Sequence, residues 1–271
     1  MTLRKAVFIT GGGSGIGRAI ALLFAKRGWF VGVGDVDATG LGETIELLAS
    51  GFAYKHQFDV TDRAAWDEAL RIFSTAAGGR VDVLVNNAGV PLGGPLTELT
   101  RDEIDRVIDV NLKGAIYGAQ AAYPHLKATA PGSCLLNIAS AAAFYGVPNQ
   151  SIYGATKAGL RSLTETLDAE WHDDGIKVRS LMPSFVDTPL LDKAPNTSRS
   201  STIRDAVQAA GLDIATPEAV AQAAWLAVDG NTLHTPVGKS AVQMRFAVKW
   251  MPGLLRSRAR KLTDAAKRTS A

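Results

Sequence analysis

Apolar residues recur along this chain in two alternating patterns. Short runs rich in β-branched and aromatic residues read as strands: KAVFITG (5–11), FVGVGD (30–35), FAYKHQFDV (52–60), VDVLVNNAG (81–89), CLLNIAS (134–140) and KVRSLMP (177–183). Several are apolar at odd and even positions alike, as a parallel strand covered on both faces must be. Between them, segments 15–27, 39–49, 63–76, 100–128, 151–173 and 216–229 read as helices. Thr61-Asp62 and Thr100-Arg101-Asp102 stand near helix starts and suit N-caps. Strand–helix alternation of this kind implies right-handed crossovers. The expected fold is α/β: a single Rossmann-type domain with a doubly wound, mostly parallel sheet and helices on both faces. No repeat, low-complexity tract or interdomain linker interrupts it. Residues 1–240 form the expected domain and 241–271 a basic amphipathic tail, packed on that domain or on a neighbouring subunit.

Composition changes this picture little. With 271 residues, 46% of them hydrophobic, the chain can bury a sizeable core. The single cysteine, Cys134, lies in an apolar run, so a buried core thiol and a reducing compartment are expected. The first residues carry no signal-peptide pattern, and no run reaches the ~18 apolar residues of a membrane-spanning helix. A cytoplasmic location is the expectation. Charge is the uneven property. From Arg245 onward there are eight basic residues against one acid, Asp264, so the tail carries +7 of a net +3 and the body −4. The scattered tail arginines make no nucleic-acid motif, and no partner of that class is expected.

In doubly wound sheets, ligands bind beyond the carboxyl ends of the strands. The first of those ends is TGGGSGIG (10–17), a strand-to-helix turn. Its spacing departs from G-x-G-x-x-G, and Gly11, Gly15 and Gly17 are the glycines expected to matter. Together with Ser14 and Ile16 they would let a pyrophosphate approach backbone N–H groups at a helix N-terminus. Asp35 ends the second strand, where a carboxylate can accept from the adenosine ribose hydroxyls and repel a 2′-phosphate. Val36 and Asp37 follow, with no basic residue, which favours NAD over NADP. Arg18 runs against that preference, since it could reach a phosphate from the first helical turn. No metal site is expected.

SIYGATKAGL (151–160) places Tyr153 and Lys157 four residues apart on one helical face, among small residues that let another backbone or a flat ligand come close. Read alone, the pair is either a surface contact or an acid beside the cation that tunes it.

At this point the chain resembles the short-chain dehydrogenase/reductase family over residues 5 to about 230. The resemblance is carried in order by TGGGSGIG (10–17), Asp59-Val60, NNAG (86–89), Asn111, Ser140, YGATK (153–157) and PSFVDT (183–188). It implies that Tyr153 is the acid/base, its phenol acidified by the Lys157 ammonium and a positive nicotinamide ring. Ser140 would hold the substrate oxygen, Asn111 would anchor a water relaying protons from Lys157, and Lys157 would also hold the nicotinamide ribose. Asp59 and Val60 would contact the adenine, Asn87, Ala88 and Gly89 would line the cofactor, and Val186 and Thr188 would hold the carboxamide. The resemblance further implies a homodimer or homotetramer. Ser184 stands where the family usually has glycine, which casts doubt on loop geometry there.

The expected substrate wall comprises Gly93, Gly94, Leu96, Ala141 to Val147 with Phe144 and Tyr145, Leu190 and Leu191. It is apolar and lacks an obvious cation, so the expected partner is a neutral, fairly hydrophobic secondary alcohol or ketone. Segment 191–211 reads as a lid. In the tail, Met244, Val248 and Met251 could form an apolar stripe near Phe246, Trp250, Leu254 and Leu255, and Pro252 should break any helix. A subunit cap or a core-packed helix is favoured there over an interfacial membrane helix. Two other functions stay open. One is a catalytically silent NAD-sensing regulator or scaffold, which would have no need of the Tyr153–Lys157 pair. The other is a membrane-peripheral reductase of lipophilic substrates.

Overall fold

The computed structural model of the protein describes residues 4–48, 51–196 and 201–269. Seven strands make one parallel sheet: β1 (Ala6–Thr10), β2 (Phe30–Asp35), β3 (Ala53–Gln57), β4 (Val83–Asn86), β5 (Cys134–Ile138), β6 (Lys177–Pro183) and, at the far edge, His234–Val237. Between β6 and that edge strand, β7 (Phe185–Val186) pairs with β8 (Ile214–Ala215), so the edge strand is β9. The spatial order is β3-β2-β1-β4-β5-β6-β9, with every pairing parallel. The chain thus winds outward from β1 in one direction and from β4 in the other. This is the expected doubly wound α/β fold, plus one strand that the sequence pattern did not disclose, because His234-Thr235-Pro236-Val237 is half polar.

The helices are α1 (Gly15–Lys26), α2 (Ala38–Leu47), α3 (Arg63–Ala76), α4 (Arg101–Ile108), α5 (Gly114–Ala128), α6 (Ser151–Glu170), α7 (Ile203–Ala209), α8 (Pro217–Asp229), α9 (Lys239–Trp250) and α10 (Pro252–Thr269). The expected caps are present. Asp62 accepts from the N–H groups of Ala64 and Ala65, and Thr100 and Glu103 form a reciprocal capping box. The single helix expected over 100–128 is continuous but carries a π-helical turn at Asp109–Lys113. Pro252 does separate two helices.

The doubled apolar pattern of the strands has a direct structural reading. Val7 and Ile9 of β1 face a core shared with Ile20 and Phe24 of α1 and Val220 of α8. Ala6 and Phe8 face the other way, into a core with Trp66 and Phe73 of α3 and Leu126 of α5. All four strand side chains are fully buried, and each core is worth on the order of 25 cal/mol per Å² of apolar surface removed from water. Cys134 lies wholly inside the first core, where burial pushes its thiol up to about 12 and keeps it unreactive.

Candidate functional site

The strand order reverses between β1 and β4, and the crevice beyond their carboxyl ends belongs to a cavity of about 1420 Å³. At its floor the glycine loop and the NNAG loop are tied together. Thr10 Oγ1 accepts from the N–H groups of Asn87 and Ala88, both at 3.1 Å, and Asn87 Nδ2 donates to the Thr10 carbonyl at 2.8 Å. Gly11 and Gly15 have φ of +63° and +51°, where a side chain is strained. A Cβ on Gly17 would lie only 2.7 Å from Asn87 Nδ2 and closer still to the Gly11 carbonyl. The loop therefore closes on itself, leaving Gly11, Ser14, Gly15 and Ile16 lining the cavity. Gly17 lies beneath them as packing.

Asp35 lines the same end. Its Oδ2 accepts from Gly13 N at 3.0 Å and its Oδ1 from Asp37 N at 3.1 Å, which fixes the carboxylate at the mouth of β2. Arg18 is turned away from the cavity. It pairs with Glu43 at 2.7 Å and donates to Thr44 Oγ1 and to the carbonyls of Gly13 and Gly40. Asp59, Val60, Asn87, Ala88, Gly89, Val186 and Thr188 all line the cavity. Thr188 packs on Gly15, where a Cβ would sit 2.9 Å from its methyl group.

The second half of the site hangs on α6. Lys157 is 5% exposed and donates from Nζ to the Ile138 carbonyl at 3.0 Å. Two turns on, Thr164 Oγ1 accepts from Asn137 Nδ2 at 3.0 Å, and Asn137 Oδ1 accepts from Asn86 Nδ2 at 3.0 Å. This buried polar ladder runs from β4 through β5 to α6 and sets the register of the helix against the sheet. Asn137 and Thr164 were not singled out from the sequence, and Asn86 entered only as the first residue of NNAG. The signal available was polar residues inside runs that are otherwise apolar.

Tyr153 and Ser140 both line the cavity, with the Ser140 hydroxyl near enough to the phenol to favour its ionised form. Ser140 Oγ accepts from Ala142 N at 3.2 Å, which fixes the hydroxyl at the start of that loop. Lys157 Nζ lies 5.8 Å from the centre of the Tyr153 ring. The expected acidification of the phenol is not produced by these residues. Burial pushes the Tyr153 phenol above its ordinary value, and the Ser140 hydroxyl offsets only part of that. Burial likewise draws the Lys157 ammonium down from 10.5 to about 8. Desolvation disfavours both charged forms, and in the protein alone it outweighs the helical proximity of the pair.

Asn111 sits in the π-helical turn, 1% exposed, with Oδ1 accepting from Val90 N at 2.8 Å and Nδ2 donating to the Val90 carbonyl at 2.9 Å. A π-turn re-aims one side chain within an otherwise regular helix, and such turns are frequent at functional sites. Here it turns Asn111 onto the backbone just after Gly89. At Gly89, a Cβ would lie 3.3 Å from Asn111 Oδ1 and 3.6 Å from Lys157 Nζ.

The substrate end differs in part from expectation. Gly93, Gly94, Ala141, Ala142, Tyr145, Gly146, Val147, Leu190 and Leu191 line the cavity, but Leu96, Ala143 and Phe144 do not. Leu96 is 55% exposed, and Phe144 packs against the Arg161 guanidinium. Cations expected to be absent are present, since Arg106, Lys193 and Arg258 line the cavity rim. Ser184 does not strain its loop: Asn149 is the only non-glycine residue with positive φ among those described. Its side chain occupies space that Gly238 leaves open. Of the expected lid, residues 197–200 lie outside the described residues. Asn196 donates to the Gly93 carbonyl at 2.6 Å, and Arg204 pairs with Asp187 and Asp192.

A second arrangement resembles a nucleophile triad. Ser180 Oγ lies 2.8 Å from His234 Nδ1, and His234 Nε2 lies 2.9 Å from Glu165. Ser180 is fully buried and does not line the cavity, so the trio ties β9 to α6 instead of performing chemistry. Among the described residues no group of three His, Cys, Asp or Glu side chains is placed to hold a metal, and no helix is long and apolar enough to cross a membrane.

Comparison with known proteins places this geometry. A family model described as short chain dehydrogenase matches residues 5–199. A 3-oxoacyl-[acyl-carrier-protein] reductase of Thermotoga maritima is 36% identical over 202 residues, 73% of this chain and 81% of that protein. A short chain dehydrogenase/reductase from Burkholderia phymatum, solved in complex with NAD, superposes with a TM-score of 0.82 at 26% identity, covering 94% of this chain and 95% of that one. A 3-ketoacyl-(acyl-carrier-protein) reductase from Brucella melitensis, complexed with NADH, gives a TM-score of 0.75 at 29% identity over 87% of this chain and 97% of its own.

Proposed function

The chain belongs to the short chain dehydrogenase family, and from that premise we propose that it interconverts a fairly hydrophobic secondary alcohol and its ketone, with NAD as the hydride partner. The cations Arg106, Lys193 and Arg258 are exposed at the rim, and the wall of Tyr145, Val147, Leu190 and Leu191 is apolar. The observation that carries this reading is the convergence of Ser140 and Tyr153 on the large cleft, with Lys157 buried one turn along α6.

The glycine loop suits a pyrophosphate, because Gly11 and Gly15 bring the backbone to the cavity at the start of α1, where a helix N-terminus favours an anion. Gly11, Ser14, Gly15, Ile16 and Gly17 would hold that group or its loop, and Asp35 the adenosine ribose. Asp59 and Val60 would hold the adenine, Asn87, Ala88 and Gly89 the middle of the dinucleotide, and Val186 and Thr188 the carboxamide. Two features support NAD over NADP: a fixed carboxylate at Asp35 and an Arg18 committed to Glu43. When bound, the nicotinamide supplies or accepts the hydride.

The chain's own residues handle the oxygen and its proton. Ser140 orients the substrate oxygen, and Tyr153, held protonated by burial, donates its proton to the carbonyl oxygen as the alcohol forms. The protonated phenol is the form that the reductive direction requires. Lys157, near 8, sits close enough to neutrality to exchange protons with the site around physiological pH. Asn111 holds the Gly89–Val90 turn against Lys157 and would anchor the relay water. Tyr153→Phe should lower turnover of neutral ketones by roughly 10²–10⁴-fold with NAD affinity nearly unchanged. A variant as active as the parent would refute the assignment. An alcohol and ketone panel, read at the nicotinamide absorbance with both cofactors, tests the substrate class, and a preference for small charged hydroxy acids would count against it.

A further inference from the structure

Helices α9 and α10 have different surroundings on their two faces. Met244 of α9 and Leu255 and Arg258 of α10 line the substrate end of the cleft. The opposite face of α9 carries Val242, Phe246 and Trp250, four residues apart and 51%, 57% and 64% exposed. Met251 at the corner and Leu254 of α10 are also exposed, at 39% and 48%. The Phe246 and Trp250 rings lie 6.5 Å apart, and the Lys249 ammonium lies 5.0 Å from the Trp250 ring. Scattered exposed apolar residues are ordinary, but a contiguous row this size marks an interaction surface.

The charge around this row identifies its occupant. Arg245, Lys249, Arg256, Arg260 and Lys261 are all exposed, and no acidic residue lies between Lys239 and Lys261. We propose that this face docks peripherally on an anionic lipid surface. Aromatic and aliphatic side chains rimmed by lysine and arginine suit the boundary between lipid headgroups and acyl chains. A second copy of the chain fits the charge poorly, because a two-fold contact would press the same cationic patch against itself. With no helix able to cross a membrane among those described, the attachment is from one side. Because the inner faces of these two helices line the cleft, docking would leave α9 and α10 as a layer between the bilayer and the substrate end.

The test is sedimentation of the full chain with vesicles of phosphatidylcholine containing phosphatidylglycerol, and with vesicles of phosphatidylcholine alone. The protein should pellet with the anionic vesicles and at least about tenfold less with the neutral ones or at high salt. Phe246→Glu/Trp250→Glu and Arg245→Glu/Lys249→Glu should each weaken pelleting at least about tenfold, since each basic residue near an anionic leaflet contributes about fivefold. Circular dichroism and thermal unfolding confirm that the variants remain folded. Tyr153→Phe should pellet like the parent, which separates failure of the enzymatic reading from failure of this one. Absence of pelleting with anionic vesicles, or pelleting indifferent to the Phe246/Trp250 change, overturns the proposal. So does an oligomer that dissociates on that change in analytical ultracentrifugation, which would assign the face to a second copy.

Discussion

Replacing Lys157 by methionine separates what this side chain does for chemistry from what it costs the fold. Its ammonium is buried, and burial brings it from 10.5 down to about 8. Between those two values the unfolded chain binds a proton that the native chain has released, so native stability rises with pH across that window. At about 1.4 kcal/mol for each tenfold change, the charged lysine costs the native state ~3 kcal/mol near pH 7 and only ~1 kcal/mol near pH 9.5. Methionine has similar length and no charge, so it removes this cost. It also removes the Nζ bond to the Ile138 carbonyl, a loss of ~1–3 kcal/mol that does not depend on pH. The variant should therefore equal or exceed the parent in stability near pH 7, by up to ~2 kcal/mol. Its advantage should shrink by ~2 kcal/mol on moving to about pH 9.5. Urea unfolding of both proteins at the two pH values, without cofactor, measures this directly, because every other titrating group cancels in the difference. A parent-to-variant gap that stays constant with pH would show that burial does not depress Lys157. Turnover by the variant should be lost throughout, so stability and activity move in opposite directions at one residue.

Asp35→Ala removes the carboxylate fixed by Gly13 and Asp37, and should raise the ratio of kcat/KM for NADP over NAD by at least about tenfold; an unchanged ratio would remove the basis for preferring NAD. Gly17→Ala forces a methyl group against the Gly11 carbonyl and Asn87. It should cost ~2–3 kcal/mol, seen in thermal scans as a Tm lower by roughly 4–10 °C, and should weaken cofactor binding as the loop shifts. An alanine variant with parental Tm and affinity would mean that the loop has room the geometry denies.

Much of this site could be read in the chain because its parts lie at fixed short spacings. Helical periodicity alone puts Tyr153 and Lys157 on one face, and a glycine run after a strand has few uses besides a tight turn into a helix. The doubled apolar pattern of β1, β4 and β5 likewise specifies a buried parallel sheet, since no strand with a solvated face would keep it. What escaped the sequence depends on neighbours far away in the chain. His234–Val237 becomes a strand only because the edge of β6 offers it hydrogen bonds. Arg18 is removed from the phosphate end by Glu43, and the ladder from Asn86 to Thr164 exists only once three elements are stacked.

The Tyr153 phenol marks the boundary most clearly. The sequence by itself determined the fold class, the glycine turn and which side chains could share a volume, because local periodicity and chain order govern those. Only the tertiary structure decided how that volume is solvated. Desolvation is set by all the atoms packed around a group, so in the protein alone burial raises the phenol, against what its lysine neighbour by itself would do. The same applies to the tail, expected to pack on the domain or on a neighbouring subunit: only the fold decided which face of α9 turns into the cleft and which leaves Phe246 and Trp250 exposed.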